Sequence, residues 1–179
     1  MTLKFPVVIK AQVLSGKRAD VGGILFAENE GEYKDQIKRL LGSTINKEKV
    51  EQVLVEEKAD VEKEYYLSIS YDTQTRGPLL ALSKEGGTGI EDRKLEHYVI
   101  NPVDPEESLK NWEQIQLIPK DLVLKLVELF FKEDCTLLEI NPLIKTKSGD
   151  WMALDAKVKL DETAIGRHPE WKEYPSRRL

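Results

Sequence analysis

The pattern of apolar and polar positions predicts a chain made mainly of short strands. The first apolar segment, FPVVIKAQV at residues 5–13, is rich in β-branched side chains and predicts a buried strand. A turn at residues 73–77 joins two later strands into a hairpin, and residues 15–23 and 84–92 form glycine-containing loops. The other strand patterns lie at residues 24–27, 52–58, 65–72, 78–83 and around 98–100.

Two segments have helical spacing instead. In residues 30–41, Tyr33, Ile37 and Leu40 recur at intervals of three and four, and Gly42 follows as a C-cap. Residues 119–133 predict a strongly amphipathic helix that begins near Pro119. Because strands outnumber helices and several neighbouring strands form hairpins, an α+β fold (α/β in some schemes) is expected rather than a doubly wound sheet.

Composition narrows the class of protein. The chain has 179 residues, of which 40% are hydrophobic and 33% charged, as expected for a globular protein with its own core. Its net charge of −5 comes without a basic stripe, which argues against a nucleic-acid partner. No apolar run approaches the roughly 20 residues of a membrane helix, and the N-terminus lacks the hydrophobic segment of a secretory signal. Cys135 is the single cysteine, which fits a packed thiol in a reducing compartment.

The last two strand patterns carry the strongest chemical signal. TLLEINPLIKT and WMALDAKVKL form a hairpin across residues 147–149, and Glu139 and Asn141 share one face of the first strand. If the turn has three residues, with Gly149 in the left-handed position, Asn141 lies opposite Asp155. Their Cβ atoms are then roughly 5 Å apart. A carboxylate and an amide oxygen at that spacing are hard ligands that suit Mg²⁺.

This metal interpretation depends on the register of the hairpin. A two-residue turn at Ser148 and Gly149 shifts the pairing by one residue and puts Asn141 and Asp155 on opposite faces. In either register, these two residues and Glu139 are also open to interpretation as polar side chains of a solvated sheet face. The Leu, Ile and Ala residues around them favour a metal or charged partners.

Lys10 lies in the middle of the apolar first strand, with Gln12 on the same face. Three interpretations are open: the ammonium group reaches solvent, pairs with a carboxylate, or faces a nucleotide phosphate. The SGKRADVGG loop that follows offers backbone N–H groups to phosphates, although it lacks the Walker A and dinucleotide motifs. Glu56, at the end of another strand, is either a contact for a ribose hydroxyl or an adenine amino group, or a solvated strand end. For Glu64 and the loop around Glu85, a nucleotide contact and a solvated surface position are likewise both open interpretations.

Four segments in this order resemble the ATP-grasp region of succinyl-CoA synthetase beta subunits. They are VVIKAQVLSGKRADVGGI, VLVEEKADVEKEYYLSISYD, LALSKEGGTGIE, and LLEINPLIKTKSGDWMALDAKV with the DETAIGRHPE that follows. The resemblance runs from about residue 5 to residue 171, and the EINPL and LDAK motifs are its most specific part. A related resemblance extends to ATP-citrate lyase, citryl-CoA synthetase and ADP-forming acetyl-CoA synthetase.

The resemblance implies an ATP-grasp fold with a truncated first lobe. Its first lobe would occupy residues 1–56, its second lobe with the metal-binding hairpin residues 57–163, and an exit tail residues 164–179. The Mg²⁺ ligands of the family match Asn141 and Asp155, with Glu139 beside them. Where the family contacts or covers the nucleotide, this chain has Lys10, Lys17, Arg18, Ala19, Glu56, Ala59 and Glu64.

The resemblance also implies an acid–thiol ligase of the succinate–CoA ligase type. In such enzymes ATP phosphorylates a histidine of a partner alpha subunit, the phosphate passes to a carboxylate, and CoA displaces it. The implied ligands are Mg²⁺ and ATP or ADP. The implied partners are an alpha-type subunit and a CoA-ligase domain, with neither nucleic acid nor a membrane. The implied location is the cytoplasm, or the mitochondrial matrix in a eukaryote.

The sequence departs from the family pattern in the loop that covers the phosphates. The family has GGRGK there, whereas residues 16–20 are GKRAD, so Lys17 and Ala19 replace glycines that allow close backbone approach. The family also continues beyond both ends of this sequence, so the chain is expected to be incomplete as an enzyme, either as an excised domain or as a natural split subunit. The alternative function is a degenerate, non-catalytic ATP-grasp module that serves as an interaction or structural domain.

Overall fold

A computed structural model describes residues 3–115 and 117–173 of the chain. They divide into two units, one that ends at Asp60 and one that begins at Val61. The predicted lobe boundary between residues 56 and 57 stays a prediction. None of the helices in these described residues is long and apolar enough to span a membrane.

The first unit is a three-stranded antiparallel sheet with a helix on one face. The elements are β1 (Val7–Ala11), β2 (Ile24–Ala27), α1 (Glu30–Leu40), β3 (Thr44–Ile45), β4 (Glu48–Lys49) and β5 (Val53–Glu57). The strand order in the sheet is β2-β1-β5. A short hairpin, β3 and β4, connects the helix to the last strand. The predicted strands at residues 5–13, 24–27 and 52–58 and the first helix are confirmed, whereas β3 and β4 were not predicted.

Alternation along β1 separates a core face from a second face on which apolar and charged side chains are mixed. Val7, Ile9 and Ala11 are fully buried and pack with Leu40 of α1. Lys10 lies between them in sequence and therefore on the opposite face of the sheet. The two faces of β1 therefore differ: one packs in the core, and the other carries Lys10.

The ends of α1 follow the sequence signals. Asn29 caps the helix, because its side-chain oxygen accepts a hydrogen bond from the backbone N–H of Glu32 at 3.0 Å. The Glu32 carboxylate in turn accepts from the backbone N–H of Glu28 at 2.8 Å. Gly42, with a φ of 79°, follows the last turn, as predicted.

The second unit is a six-stranded antiparallel sheet with one long helix. The elements are β6 (Val61–Asp72), β7 (Gly77–Ser83), β8 (Glu96–Val99), α2 (Pro105–Ser108), α3 (Lys120–Lys132), β9 (Cys135–Thr146), β10 (Trp151–Ala153) and β11 (Ala156–Leu160). The strand order is β10-β9-β6-β7-β8, and β11 also pairs with β9. The predicted α+β fold is confirmed, and so is the long amphipathic helix that begins directly after Pro119.

The core of the second unit lies between α3 and one face of this sheet. From the helix, Val123, Val127 and Phe130 are buried. Cys135 belongs to the same cluster, where burial raises the pKa of its thiol, so the predicted packed thiol is confirmed. The strands contribute Leu67, Ile69, Leu80, Leu82, Leu138, Ile140 and Leu143.

A β-bulge in β9 interrupts the regular alternation. Leu67 pairs with Ile140 and Tyr65 pairs with Leu143, so one residue of β6 opposes the two residues between Ile140 and Leu143. Strict alternation would place Leu143 on the same face as Glu139, but the bulge returns Leu143 to the core. A polar segment therefore fits within an otherwise apolar strand.

The glycine loop, residues 84–93, folds closely against β6. Gly86 donates its N–H to the Glu64 carbonyl at 3.2 Å. The Arg93 guanidinium donates to the carbonyls of Gly86 at 2.7 Å and Thr88 at 3.0 Å. A Cβ atom on Gly86 would lie 2.6 Å from the Tyr65 carbonyl oxygen, so only glycine allows this approach.

The segment after residue 163 differs from the expected exit tail. Up to Glu173 it forms two 3-10 helices, Glu162–Gly166 and Pro169–Glu173, and it buries His168 and Trp171. The two rings stack with centroids 4.1 Å apart. The prediction rested on the prolines and charges of this segment and did not foresee that His168 and Trp171 are buried. Residues 174–179 of the predicted tail lie outside the described residues.

An ion-paired cluster attaches this segment to the end of α3. His168 Nε2 lies 2.7 Å from Asp134 Oδ2, and Nδ1 lies 3.2 Å from Glu170 Oε1. Arg167 makes two hydrogen bonds to the Asp134 carboxylate, at 2.8 and 3.0 Å. Arg167 first and His168 second lower the pKa of Asp134 to about 2, and Asp134 raises the pKa of His168. The geometry therefore favours the imidazolium form of His168.

We expect this cluster to make stability depend on pH. Because the pKa of folded His168 lies above its ordinary value of 6.5, its contribution is complete below that pH and is lost as pH rises through the folded pKa. The melting temperature should therefore fall as pH rises above 6.5 and passes through the raised pKa of His168. In the His168→Gln variant, which retains His97, this part of the pH dependence should disappear. Equal slopes for both proteins would contradict the assignment.

We expect Gly86→Ala to destabilise the second unit. The added methyl group would meet the Tyr65 carbonyl and the Pro142 ring, so the free energy of unfolding should fall by about 1–3 kcal/mol. Gly166→Ala is the matched control, because a Cβ atom there has no neighbour within 4 Å. Urea denaturation measures both, and a Gly86 variant as stable as the control would show that the loop does not approach β6 this closely.

Candidate functional site

The turn between β9 and β10 has the predicted three-residue form. Thr146 and Asp150 close it, since the Thr146 N–H bonds to the Asp150 carbonyl at 2.8 Å. Gly149 has a φ of 94°, in the left-handed region that favours glycine. Trp151 therefore pairs with Lys145, and further along Lys157 pairs with Glu139. The predicted register is confirmed.

This register places Asn141 opposite Asp155. The Asn141 N–H donates to the Asp155 carbonyl at 3.1 Å, and the Leu154 N–H donates to the Pro142 carbonyl at 3.1 Å. The sequence predicted one continuous partner strand, but Leu154 and Asp155 separate β10 from β11. The bulge at Asn141 and Pro142 accounts for the break, since it disturbs the ladder at this point. Asp155 is exposed.

The side chain of Asn141 is oriented by the glycine loop. Its Oδ1 accepts a hydrogen bond from the Gly87 N–H at 2.6 Å, and its Nδ2 donates to the Gly87 carbonyl at 3.0 Å. These two bonds distinguish the amide oxygen from the nitrogen, because a flipped amide would set a donor against a donor. An amide oxygen has two lone pairs, so Oδ1 retains the capacity for a second partner.

Glu139 lies on the polar face of the same sheet. Ser68 pairs with it from one side and Lys157 from the other. The buried Tyr66 donates its hydroxyl to Glu139 Oε2 at 3.3 Å. Burial raises the pKa of Tyr66, and the negative charge of Glu139 raises it further, so the phenol stays protonated as a donor.

The donor set at this point of the sheet fits a hard divalent cation. Asn141 offers an amide oxygen, and Asp155 and Glu139 offer carboxylates, which are the ligands that Mg²⁺ prefers. Asp155 is exposed and Glu139 is half-buried, so neither carboxylate is fully desolvated before a cation binds. The chemistry of the residues therefore fits the group that the resemblance implies.

Lys10 and Glu56 form an ion pair in the first unit. Lys10 Nζ lies 2.7 Å from Glu56 Oε2, and the side chains are 8% and 44% exposed. Val8 is the residue directly opposite Glu56, so Lys10 reaches the carboxylate diagonally along the shared face. Of the interpretations open for Lys10, pairing with a carboxylate is the one that the structure contains.

The loop at residues 15–23 keeps an unusual backbone despite its lost glycines. Lys17 has a φ of 59°, a conformation that is costly for a residue with a side chain. Arg18 donates a guanidinium N–H to the Ala11 carbonyl at 3.0 Å and accepts at its own carbonyl from the Gly23 N–H at 2.7 Å. Ala19 is exposed in the turn that follows. The loop is therefore folded against β1.

Two further predicted contacts lie near the boundary of the units. Ala59 is half-buried between β5 and β6. Glu64 lies on β6 with an exposed side chain, and a Cβ atom on Gly87 would be 3.3 Å from Glu64 Oε2. The structure thus brings Lys10 and Glu56 together in one unit. In the other unit, Asn141 and Glu64 lie beside the glycine loop, and Asp155 pairs with Asn141 through the backbone.

Several contacting residues were not predicted. The Glu48 carboxylate accepts from the backbone N–H groups of Leu14 and Ser15 at 2.9 and 2.8 Å. Tyr66 and Arg93 also contact the predicted site or its loop, but their distance in sequence from Glu139 and Asn141 left no local signal. Pro142 within a strand did offer one, because proline in a strand interior indicates a bulge.

A separate group of side chains also has metal-ligand spacing. Ligand atoms of Glu133, His168 and Glu170 all lie within 4.8 Å of one another. Because His168 is already bonded to Asp134 and Glu170, ion pairing explains this arrangement without a metal.

Comparisons with known proteins agree with the fold and with the motifs. The ATP-grasp domain family model matches residues 2–145. The succinate–CoA ligase [ADP-forming] beta subunit of Methanocaldococcus jannaschii is 39% identical over 96% of this chain and 52% of its own length. That of Persephonella marina is 34% identical over 95% of this chain and 50% of its own length. The chain spans about half the length of the curated relatives it matches.

Solved structures show the same fold at lower sequence identity. ATP citrate lyase from Methanothrix soehngenii superimposes with a TM-score of 0.75 at 22% identity, over 95% of this chain and 42% of the other. An acetyl-coenzyme A synthetase from Ca. Korarchaeum cryptofilum gives a TM-score of 0.59 at 22% identity, over 88% and 77%. Because the family model covers most of the sequence and both units hold the expected motifs, this chain belongs to the ATP-grasp family.

Proposed function

We propose that this chain binds a magnesium–nucleotide complex, Mg-ATP or Mg-ADP, as part of an ADP-forming acyl-CoA synthetase of the succinate–CoA ligase type. The observation that carries the proposal is the hairpin register, which sets Asn141 opposite Asp155 beside Glu139. Similarity to the beta subunits supports the class of enzyme.

The second unit supplies the cation ligands in this proposal. Asn141 Oδ1 and the Asp155 carboxylate are the direct ligands, with Glu139 beside them. Tyr66 orients Glu139 by its hydroxyl hydrogen bond, and the Gly87 backbone orients Asn141. When bound, Mg²⁺ neutralises phosphate charge. The protein then has to hold these oxygens in place: Asn141 and Glu139 lie on the strand β9, and Asp155 lies in the two-residue link between β10 and β11.

The first unit supplies the nucleotide contacts in this proposal. Lys10 brings a positive charge on a rigid strand, and Glu56 holds its ammonium group at 2.7 Å. A lysine that is positioned before the ligand arrives loses little side-chain entropy on binding. Glu56 retains a largely accessible carboxylate for a ribose hydroxyl or a base amino group. Ala59 of this unit and Glu64 of the second unit are the further proposed contacts.

The loop at residues 15–23 covers the phosphates in this proposal, through Lys17, Arg18 and Ala19. Lys17 has a φ of 59°, in the left-handed region that favours glycine, so the loop keeps a glycine-like turn while it carries a positive side chain. Electrostatic attraction from Lys17 and Arg18 then offsets part of the lost backbone approach.

The proposed reaction moves the terminal phosphoryl group between the nucleotide and a histidine. The bond from phosphorus to the ADP oxygen breaks as a bond to the imidazole nitrogen of an alpha-type partner subunit forms. This chain contributes position and charge rather than a covalent group. The partner and a CoA-ligase domain carry the later steps, and the cytoplasm or mitochondrial matrix is the proposed location.

Thermal stabilisation by nucleotide is the direct test. At a ligand concentration of 100 times Kd, one site stabilises the folded protein by about 2.7 kcal/mol. We expect ATP or ADP to raise the melting temperature more with MgCl2 than with EDTA, and MgCl2 alone to have little effect. Absence of a shift at millimolar nucleotide would favour the alternative, a non-catalytic ATP-grasp module, which the substitutions at Lys17 and Ala19 support.

We expect Asp155→Asn to weaken the Mg²⁺-dependent part of nucleotide binding. Loss of the ligand charge should cost about tenfold in affinity for Mg-ADP, or about 1.4 kcal/mol, while ADP affinity in EDTA stays the same. Asp121→Asn is the matched control, because Asp121 is an exposed residue in the first turn of α3 in the same unit. Titration calorimetry measures both variants, and unchanged Mg-ADP affinity in Asp155→Asn would refute the ligand assignment.

A further inference from the structure

We propose that Arg93 is a positioning residue for the divalent cation, because it folds the glycine loop that orients the Asn141 amide. This inference rests on the proposed function of Asn141 as a metal ligand. Arg93 itself offers no atom to a cation, since a guanidinium has only donors.

The side chain of Asn141 contacts the glycine loop directly. Two hydrogen bonds, of 2.6 and 3.0 Å, join its amide to the N–H and the carbonyl of Gly87. An asparagine side chain rotates about two torsions when it is unrestrained, and metal affinity depends on ligands that are oriented before binding. Gly87 therefore determines where the Oδ1 lone pairs point.

Gly87 is held in place by backbone contacts of its two neighbours. The residue before it, Gly86, is fixed to β6 by its N–H bond to Glu64. The carbonyls on either side of Gly87, those of Gly86 and Thr88, both accept from one guanidinium, at 2.7 and 3.0 Å. Arg93 thus holds the backbone on both sides of Gly87, the residue that orients Asn141.

The contact with two carbonyls requires an arginine at position 93. The Arg93 side chain is 28% exposed, and its Nε also lies 3.7 Å from Glu85 Oε2. A guanidinium presents several N–H groups in a planar fork, which allows it to reach two carbonyls at once. A lysine ammonium is a point charge on a flexible stem, so a lysine at this position would not hold the two carbonyls beside Gly87 in the same way.

Arg93→Gln tests the proposal. Groups that bond a metal ligand directly are worth roughly 10–100-fold in metal affinity. Because Arg93 acts one contact further out, through Gly87, we expect the MgCl2 concentration at half-saturation, with ADP fixed, to rise about three- to tenfold. Arg93→Lys should lie between the wild type and Arg93→Gln. ADP affinity in EDTA should stay the same, which loss of structure alone would not give.

Arg76→Gln is the matched control. It removes the same charge from an exposed turn at the other end of β6, and its half-saturation should equal that of the wild type. If Arg93→Gln also matches the wild type, or if it weakens ADP equally with and without Mg²⁺, the proposal is wrong. If the wild type itself shows no Mg²⁺-dependent binding, the proposed function fails and this inference fails with it.

Hydrogen exchange at the Gly87 amide tests the anchor without nucleotide. This N–H is bonded to Asn141 Oδ1, so it should exchange slowly in the wild type and in Arg76→Gln. Arg93→Gln and Asn141→Ala should each speed its exchange, while amides in the centre of β6 keep their protection. Unchanged Gly87 exchange in Arg93→Gln would overturn the proposed link between Arg93 and Asn141 independently of the binding data.

Discussion

The whole candidate cation site depends on the backbone bonds that close one tight turn. Because Thr146 and Asp150 pair around three residues, β9 meets its partner in the register that brings Asn141 against Asp155. Side-chain direction in a strand has a period of two, so a slip of one residue would send these groups to opposite faces. The left-handed Gly149 therefore helps to determine which residues face one another several positions away.

Of the two registers that the sequence left open, the structure contains the one with the three-residue turn, and the signal for it is local. Gly149 sits at the end of a short polar segment between two apolar ones, and its backbone freedom selects the three-residue turn. The same holds for the first strand, for α1 with its cap at Asn29, and for α3, where spacing within one segment determines the buried face. In these segments neighbours in sequence supply the energy and the pattern predicted the element, whereas the equally local hairpin of β3 and β4 was not predicted.

The details that orient the site come from contacts distant in sequence, and the pattern did not predict them. Gly87 lies 54 residues before Asn141, and Tyr66 lies 73 residues before Glu139. Nothing in the segment around Asn141 specifies either partner. The burial of His168 was missed for the same reason, since Asp134 reaches it from the end of α3. Tertiary contacts also decided the bulge, although Pro142 marked its place.

The bulge and the glycine loop explain how an apolar strand carries a polar site without large cost. The bulge returns Leu143 to the core, so the strand keeps its packing on both sides of the polar segment. The glycine loop satisfies both polar atoms of Asn141, which would otherwise lose hydration without compensation. Asp155 stays exposed and Glu139 half-buried. The sheet thus carries Asp155 and Glu139 beside Asn141 without fully burying either carboxylate.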